Sequence, residues 1–261
     1  MTVPNSKIFI INLDSSKARW HECQRQLPNT IFERISAING ANLSETELKE
    51  RFDINLNTQQ YYKTLTAGEI ACYLSHRKAW AKIIEDNLDF ALILEDDFLL
   101  NANVEQLVAA ISKIEHSWHC IKLAEYPVKR RELGATTIDG FRLVAYNKVP
   151  ARTCAQAISK EGAKRLLLAS EKFGRPIDID MQHWWEHDLR IFGLKPYLFE
   201  ISKTAVSDIE GIASRSEVRR RPLLRTYQQL LYYFTNKRET RSLLAEMQTK
   251  QSNLNYNFKV L

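Results

Sequence analysis

The chain is poor in the residues that build phosphate-cradling loops. Its 261 residues include only eight glycines, none in a G-x-G-x-x-G fingerprint or a Walker-type Gly-Lys-Ser/Thr loop. That argues against a dinucleotide-binding enzyme and a P-loop ATPase. The four cysteines, Cys23, Cys72, Cys120 and Cys154, lie far apart without a Cys-x-x-Cys pair. They are expected to be buried free thiols in a reducing cytosol. No apolar run approaches the ~20 residues that span a bilayer. Ile8-Phe9-Ile10-Ile11 is too short for the core of a signal peptide. There is no internal repeat and no low-complexity linker. The expectation is a cytoplasmic protein, soluble or peripheral.

What is present is an ordinary globular composition, with 44% hydrophobic and 26% charged residues. The length suffices for one large α/β domain or two small ones. Basic residues exceed acidic ones by six and the pI is near 9.1, which favours an anionic partner such as a nucleotide, a phosphorylated glycan, a membrane surface or nucleic acid.

The most abrupt change of chemistry is Phe90-Ala91-Leu92-Ile93-Leu94 running into Glu95-Asp96-Asp97. The apolar run suits a buried strand, which would send Glu95 and Asp97 to one side and Asp96 to the other. Ligands of open α/β sheets bind beyond the carboxyl ends of strands. Three adjacent carboxylates there repel one another, and a hard divalent cation relieves that repulsion. A solvated acidic turn is the alternative.

Around this stretch the chain alternates strands and helices. Lys7–Leu13 is a predicted strand, followed by a helix capped by Asp14 or Ser15 and stopped at Pro28. A second strand is expected over 30–37, and Ser44 with Glu47 forms a capping box. Residues 51–64 read as irregular. Thr66 with Glu69 opens a long helix reaching Ile84. After the acidic strand come a helix over 104–114, a strand over 119–123, a basic loop over 125–140, strands over 142–149 and 153–159, and a helix over 162–169. Asp178 and Asp180 form a second acidic site on an extended segment, pointing to one side and opening a helix over 181–189. The last strand is expected over 191–199. From about Ser214 a basic helical extension follows, so the expected division is 1–213 and 214–261.

Several of these blocks resemble glycosyltransferase family 25, the bacterial lipooligosaccharide glycosyltransferases and related collagen galactosyltransferase domains. They are Leu65-Thr66-x-Gly68-Glu69-Ile70-x-Cys72-x-Leu74-Ser75-His76, the Ala91–Asp97 stretch, Ile11-Asn12-Leu13 with Arg19, Ala37-Ile38-Asn39-Gly40, Thr153–Ala163 and Pro176-Ile177-Asp178. The resemblance covers about residues 7–210. It implies an α/β GT-A-type fold, with a mixed central sheet flanked by helices, and a UDP-hexose donor, with galactose before glucose. It also implies a lipooligosaccharide acceptor and transfer with inversion. Mn²⁺ or Mg²⁺ on the donor pyrophosphate would be held by Glu95-Asp96-Asp97, with Asp97 the first candidate ligand and Glu95 beside it. Glu95 stands where the wider fold has Asp.

An inverting transfer needs a general base, for which Asp178 and Asp180 are the candidates. Asn12, Asp14, Arg19 and His76 are expected around the donor. His183 and His187 have a spacing that can bind zinc, and Trp184 and Trp185 could stack on sugars. Lys129-Arg130-Arg131 could belong to a lid over phosphate. In the extension, Arg215, Arg219, Arg220, Arg221 and Arg225 could meet anionic inner-leaflet lipids. Tyr227, Leu230, Leu231, Tyr233 and Phe234 supply an apolar face for that surface, for the domain itself or for a second subunit in a homodimer. The competing readings are a basic nucleic-acid-binding protein and an inactive sugar-binding relative. The first is weakened because no nucleic-acid motif accompanies the basic residues.

Overall fold

Strand and helix order follow from where apolar runs stop. In the computed structural model, residues 4–115, 117–128, 130–201, 221–254 and 259–260 are described. Strand β1 (Ser6–Asn12) leads into α1 (Lys17–Gln26), β2 (Glu33–Ser36), α2 (Glu45–Arg51), α3 (Ile54–Gln60) and the long α4 (Ala67–Glu85). Then come β3 (Phe90–Glu95), β4 (Phe98–Leu100), α5 (Val104–Ser112), β5 (Cys120–Lys122), β6 (Glu132–Ile138), β7 (Phe141–Tyr146) and β8 (Ala155–Ser159). The chain continues with α6 (Lys160–Ala169), α7 (Ile177–Gln182), β9 (Ile191–Lys195), β10 (Phe199–Ile201), α8 (Pro222–Leu254) and β11 (Lys259–Val260).

One mixed sheet has the strand order β11-β6-β7-β9-β5-β8-β3-β1-β2, and β4 pairs with β10 apart from it. β1 lies parallel to β2 on one side and β3 on the other, with Ile11 level with Glu95. β8 runs antiparallel between β3 and β5. Both faces of the sheet are covered, which is why β1 and β3 are apolar at successive positions. Ile8, Ile10, Leu92 and Leu94 join the layer with Leu107 and Ile111 of α5. Phe9, Ile11, Ala91 and Ile93 join the layer with Tyr73 and Trp80 of α4 and Met181 of α7. This is the expected mixed α/β, GT-A-like architecture.

Both expected capping boxes are present, at Ser44–Glu47 and Thr66–Glu69. Four expectations change. The second strand begins at Glu33, leaving Ile31 94% exposed. Residues 51–64 include α3, whose first amides are accepted by Asp53 Oδ1. The stretch read as a basic loop contains β6, paired to β7. The helix expected over 181–189 is instead the short α7 followed by a 3₁₀ turn at Trp184–His187.

The C-terminal helix α8 lies on the domain. Arg221 N–H donates to Tyr62 O at 2.9 Å, and Gln228 Nε2 donates to Gln59 O at 3.0 Å. Asn236 donates to Asn147 O at 2.6 Å and accepts from Trp184 Nε1 at 3.4 Å. Leu223, Tyr227, Leu230, Leu231, Tyr233 and Phe234 stay exposed. The expected boundary at 213/214 lies outside the described residues, as do Lys129, Arg215, Arg219 and Arg220.

Candidate active site

The chain leaves β1 toward β2 on one side and later returns as β3 on the other. Such a reversal opens a crevice at the carboxyl ends of the two strands, and Asn12 and the acidic triplet stand there. β3 ends at Glu95, and Asp96-Asp97 form a turn, so the three carboxylates diverge instead of alternating along a strand. Asp96 turns toward β1 and α1. Its Oδ2 accepts from Asn12 Nδ2 at 2.6 Å and its Oδ1 from Arg19 Nη1 at 3.0 Å. Asn12, only 1% exposed, also donates to Ser16 O at 3.2 Å.

Glu95 turns toward α4. Its Oε1 lies 3.0 Å from Nε2 of the fully buried His76 and accepts from Thr153 Oγ1 at 2.6 Å. Burial opposes ionisation of Glu95, yet the His76 hydrogen bond and then Thr153 hold its carboxyl below the usual range. Asp97 differs. Its Oδ1 is buried without a hydrogen-bond partner among the described residues. Burial, then the charges of Glu95 and Asp96, push its carboxyl up to about 6. An orphaned hard oxygen beside two other carboxylates fits a Mg²⁺- or Mn²⁺-type ion. Ligand atoms of Cys72, His76 and Glu95 also lie within 4.8 Å of one another. In that group His76 and Glu95 already satisfy each other, and burial pushes the Cys72 thiol well above its usual range.

These side chains line a cavity of about 140 Å³ with Leu13, Ile38, Asn39, Gly40 and Gly68. The Thr66–Glu69 box fixes where α4 starts: Thr66 Oγ1 accepts from Glu69 N–H at 3.2 Å, and Glu69 Oε2 accepts from Thr66 N–H at 2.9 Å. Gly40 packs directly on that start; a Cβ there would lie 2.7 Å from the Ala67 carbonyl.

Asp178 and Asp180 sit on α7, and this separates them. Residues two apart point to one side of a strand but are about 200° apart around a helix, so the expected common direction is lost. Asp180 enters a buried network. It accepts from Tyr73 Oη at 2.6 Å, has Arg175 Nη1 at 3.4 Å and His187 Nε2 at 3.3 Å, and keeps a carboxyl below the usual range although burial opposes it. Asp178 is pushed up to about 6, chiefly by burial, against the Ile179 amide and the charge of Lys122. After burial, the charges of Glu95, Asp178 and Asp97 push the Cys72 thiol up further.

Other expected site residues fall elsewhere. Asp14 pairs with Arg34 at 3.1 Å and Ser36 at 2.8 Å, its side chain 71% exposed and outside the cavity lining. His183 Nδ1 contacts Ile179 O and His187 faces Asp180, so the two do not share a helix face or a zinc-like arrangement. Trp184 is a core side chain, while Trp185 packs on Tyr232. Arg130 pairs with Glu125 and donates to Lys148 O.

Lys122, Arg152 and Thr153 join the site without a role that the sequence marks for them. Lys122 is fully buried, donating to Arg152 O at 2.8 Å and Gln156 Oε1 at 3.2 Å. Its burial holds the ammonium below the usual lysine range. A lysine inside the apolar strand Cys120-Ile121-Lys122-Leu123 was the available signal, since unpaired charges are seldom buried. Arg152 stacks on Tyr126 at 3.8 Å, and its charge reaches Asp97.

Comparison with known proteins places the site in context. The sequence profile described as "Glycosyltransferase family 25 (LPS biosynthesis protein)" matches residues 5–181. Procollagen galactosyltransferase 2 of Mus musculus is 26% identical over 216 residues, 74% of this chain and 34% of that protein. Inactive glycosyltransferase 25 family member 3 of Homo sapiens is 27% identical over 221 residues, 74% of this chain and 36% of that protein. Procollagen galactosyltransferase 1 of Danio rerio is 25% identical over 241 residues, 81% of this chain and 38% of that protein. The chain thus spans about a third of the length of these curated relatives.

Proposed function

The chain belongs to glycosyltransferase family 25, and on that premise we propose that it transfers a hexose, galactose before glucose, from a UDP-sugar to a lipooligosaccharide glycan with inversion. The observation that carries this reading is the division of the triplet: Asp96 is clamped, Glu95 is held by His76, and Asp97 is left with an orphaned oxygen in the crevice. The galactosyltransferases among the relatives support the donor, and the family's description as LPS biosynthesis proteins supports the acceptor.

Asp97, with Glu95 beside it, would hold Mn²⁺ or Mg²⁺, which would supply a Lewis acid for the charge that develops on UDP. Asn12 and Arg19 position Asp96, and His76 orients Glu95. Asp178 is the general base. The acceptor hydroxyl oxygen bonds to the anomeric carbon from the face opposite UDP, Asp178 takes the hydroxyl proton, and the carbon–oxygen bond to phosphate breaks with its electron pair leaving on UDP. Asp180 holds α7 in place through Tyr73 and Arg175.

No helix among the described residues is long and apolar enough to cross a membrane. The exposed stripe Leu223, Tyr227, Leu230 and Phe234, with Arg225, Lys237 and Arg238 nearby, supports peripheral attachment to an anionic inner leaflet. A homodimer through the same helix is the other occupant, and vesicle flotation against sedimentation separates the two.

The test is UDP release from UDP-galactose and UDP-glucose with lipooligosaccharide, in Mn²⁺, Mg²⁺ or chelator. Cation-dependent release is expected, reduced about 100-fold in Asp97→Asn. Absence of release from any UDP-hexose with cation and acceptor present would overturn the reading and leave an inactive relative.

A further inference from the structure

A second cavity, of about 350 Å³, lies between α7, α8 and the segment Gln60–Tyr62. It falls in the size range of small-molecule sites, and none of the chemistry assigned above uses it. Its wall includes Ile179 and Gln182 of α7, the helix that carries Asp178, so cavity and base are joined by one turn of helix.

Three features of the lining point the same way. Tyr61, Tyr62, Tyr232 and Tyr233 provide aromatic faces, which suit the C–H faces of sugar rings. Lys148 and Arg225 are its cations, with Lys148 Nζ 5.2 Å from the centre of the Tyr232 ring and Arg225 Cζ 5.1 Å from that of Tyr62. No carboxylate lines it, so nothing within the wall neutralises them. The Tyr232 hydroxyl is buried and has no hydrogen-bond partner among the described residues. A buried hydroxyl left unpaired is costly unless a ligand or water completes it.

We propose that this cavity is a subsite for an acidic sugar of the acceptor glycan, one bearing a carboxylate or a phosphate, held between the tyrosines and met by Lys148, Arg225 and the Tyr232 hydroxyl. The proposal rests on the reading of the chain as a glycosyltransferase with its base at Asp178. It gives α8 a part in the reaction, because Arg225, Gln228, Gln229, Tyr232 and Tyr233 belong to that helix and the rest of the lining to the domain. The acidic sugar would sit in the cavity while the neighbouring sugar presents its hydroxyl to Asp178.

Lys148 and Arg225 reach the cavity from exposed positions, and Tyr232→Phe removes a single oxygen, so these variants should fold. Methyl glucuronide, glucose 6-phosphate, methyl glucoside and inorganic phosphate are titrated into the full chain with tryptophan fluorescence, since Trp185 touches Tyr232. Both acidic sugars are expected to bind at least ~10-fold more tightly than the neutral glycoside, and tighter binding of one identifies the acid as carboxylate or phosphate. Lys148→Ala and Arg225→Ala should each weaken that binding about 10-fold, and Tyr232→Phe severalfold. Saturating UDP should not displace them. With lipooligosaccharide as acceptor, Lys148→Ala should raise the acceptor KM about 10-fold with a smaller change in kcat. Equal binding of charged and neutral sugars overturns the proposal, as do indifference to the three substitutions, displacement by UDP, or inorganic phosphate binding as tightly as the sugar phosphate. If the glycosyltransferase reading fails, the wild type releases no UDP, and the titration still reports on the cavity alone.

Discussion

Asn12 Nδ2 donates a 2.6 Å hydrogen bond to Asp96 Oδ2, tying the end of β1 to the turn that follows β3 across 84 residues of sequence. Arg19 closes on the other oxygen at 3.0 Å. A carboxylate bound on both oxygens is a structural clamp, and the neighbour it displaces into the crevice is Asp97. Asp96→Asn or Asn12→Ala should therefore cost about 1–3 kcal/mol of stability, because a buried polar group is left unpaired. Asp97→Asn should leave Tm unchanged or raised while reducing cation-dependent UDP release about 100-fold. Thermal melts and UDP release on the three variants check this.

Asp178 titrates at about 6 in the folded chain against 3.8 for an ordinary aspartate. The folded state holds that proton more tightly, so Asp178 lowers stability as pH rises from about 4 to 6 and adds no further change above. Transfer needs the carboxylate, so activity should fall below about pH 6. Asp178→Asn should abolish transfer yet stabilise the protein at pH 8. The gap of roughly two units is worth at most about 3 kcal/mol at 1.36 kcal/mol per unit, and solvent contact reduces it to about 1–2 kcal/mol. Urea unfolding of both proteins at pH 5 and pH 8 measures it.

Lys122 is the cation that opposes the upward push on Asp178. Lys122→Met keeps the apolar stem and removes the charge. The acid limb of the pH–activity curve should then move to higher pH.

Asp180 should behave in the opposite sense. Its carboxyl is held below the usual range, so it contributes stability above about pH 4 that is lost as pH falls through its folded value. Asp180→Asn leaves one accepting oxygen instead of two and removes the charge facing His187, while Arg175 keeps Glu186, and should cost about 1–3 kcal/mol. Activity per folded molecule should largely survive, as a titration of UDP release against folded fraction would reveal.

Gly40→Ala puts a methyl group 2.7 Å from the Ala67 carbonyl at the start of α4. Backbone cannot yield as a side-chain tip does, so the Gly40–Asn42 turn must shift out of the cavity wall. UDP affinity should drop about 10-fold, read by direct titration, with the Thr66 cap intact.

The parts of the fold that could be read from sequence are those whose cause is local. The strand ending at Glu95 was visible because apolar and acidic chemistry meet there, and α2 and α4 because Ser44–Glu47 and Thr66–Glu69 carry capping boxes. β6 was not visible: Glu-Leu-Gly-Ala-Thr-Thr-Ile has little strand pattern, and it is held by pairing to β7 and β11. α3 is short and polar, and Asp53 is its one local signal. In the site, the acidic groups were found but not their division of labour. That division depends on Asn12, His76 and Tyr73, which reach the acids across 84, 19 and 107 positions.

The last two described residues, Lys259 and Val260, lie antiparallel to Gly134 and Ala135 and form the outermost rung of the main sheet. An uncovered strand is a template for any other extended chain. Truncating the protein before α8 would therefore do more than remove a basic helix: it would bare the hydrogen-bonding edge of β6. Such a truncation should be judged first by whether it stays monodisperse, because loss of activity or of lipid attachment could follow from chains joining edge to edge.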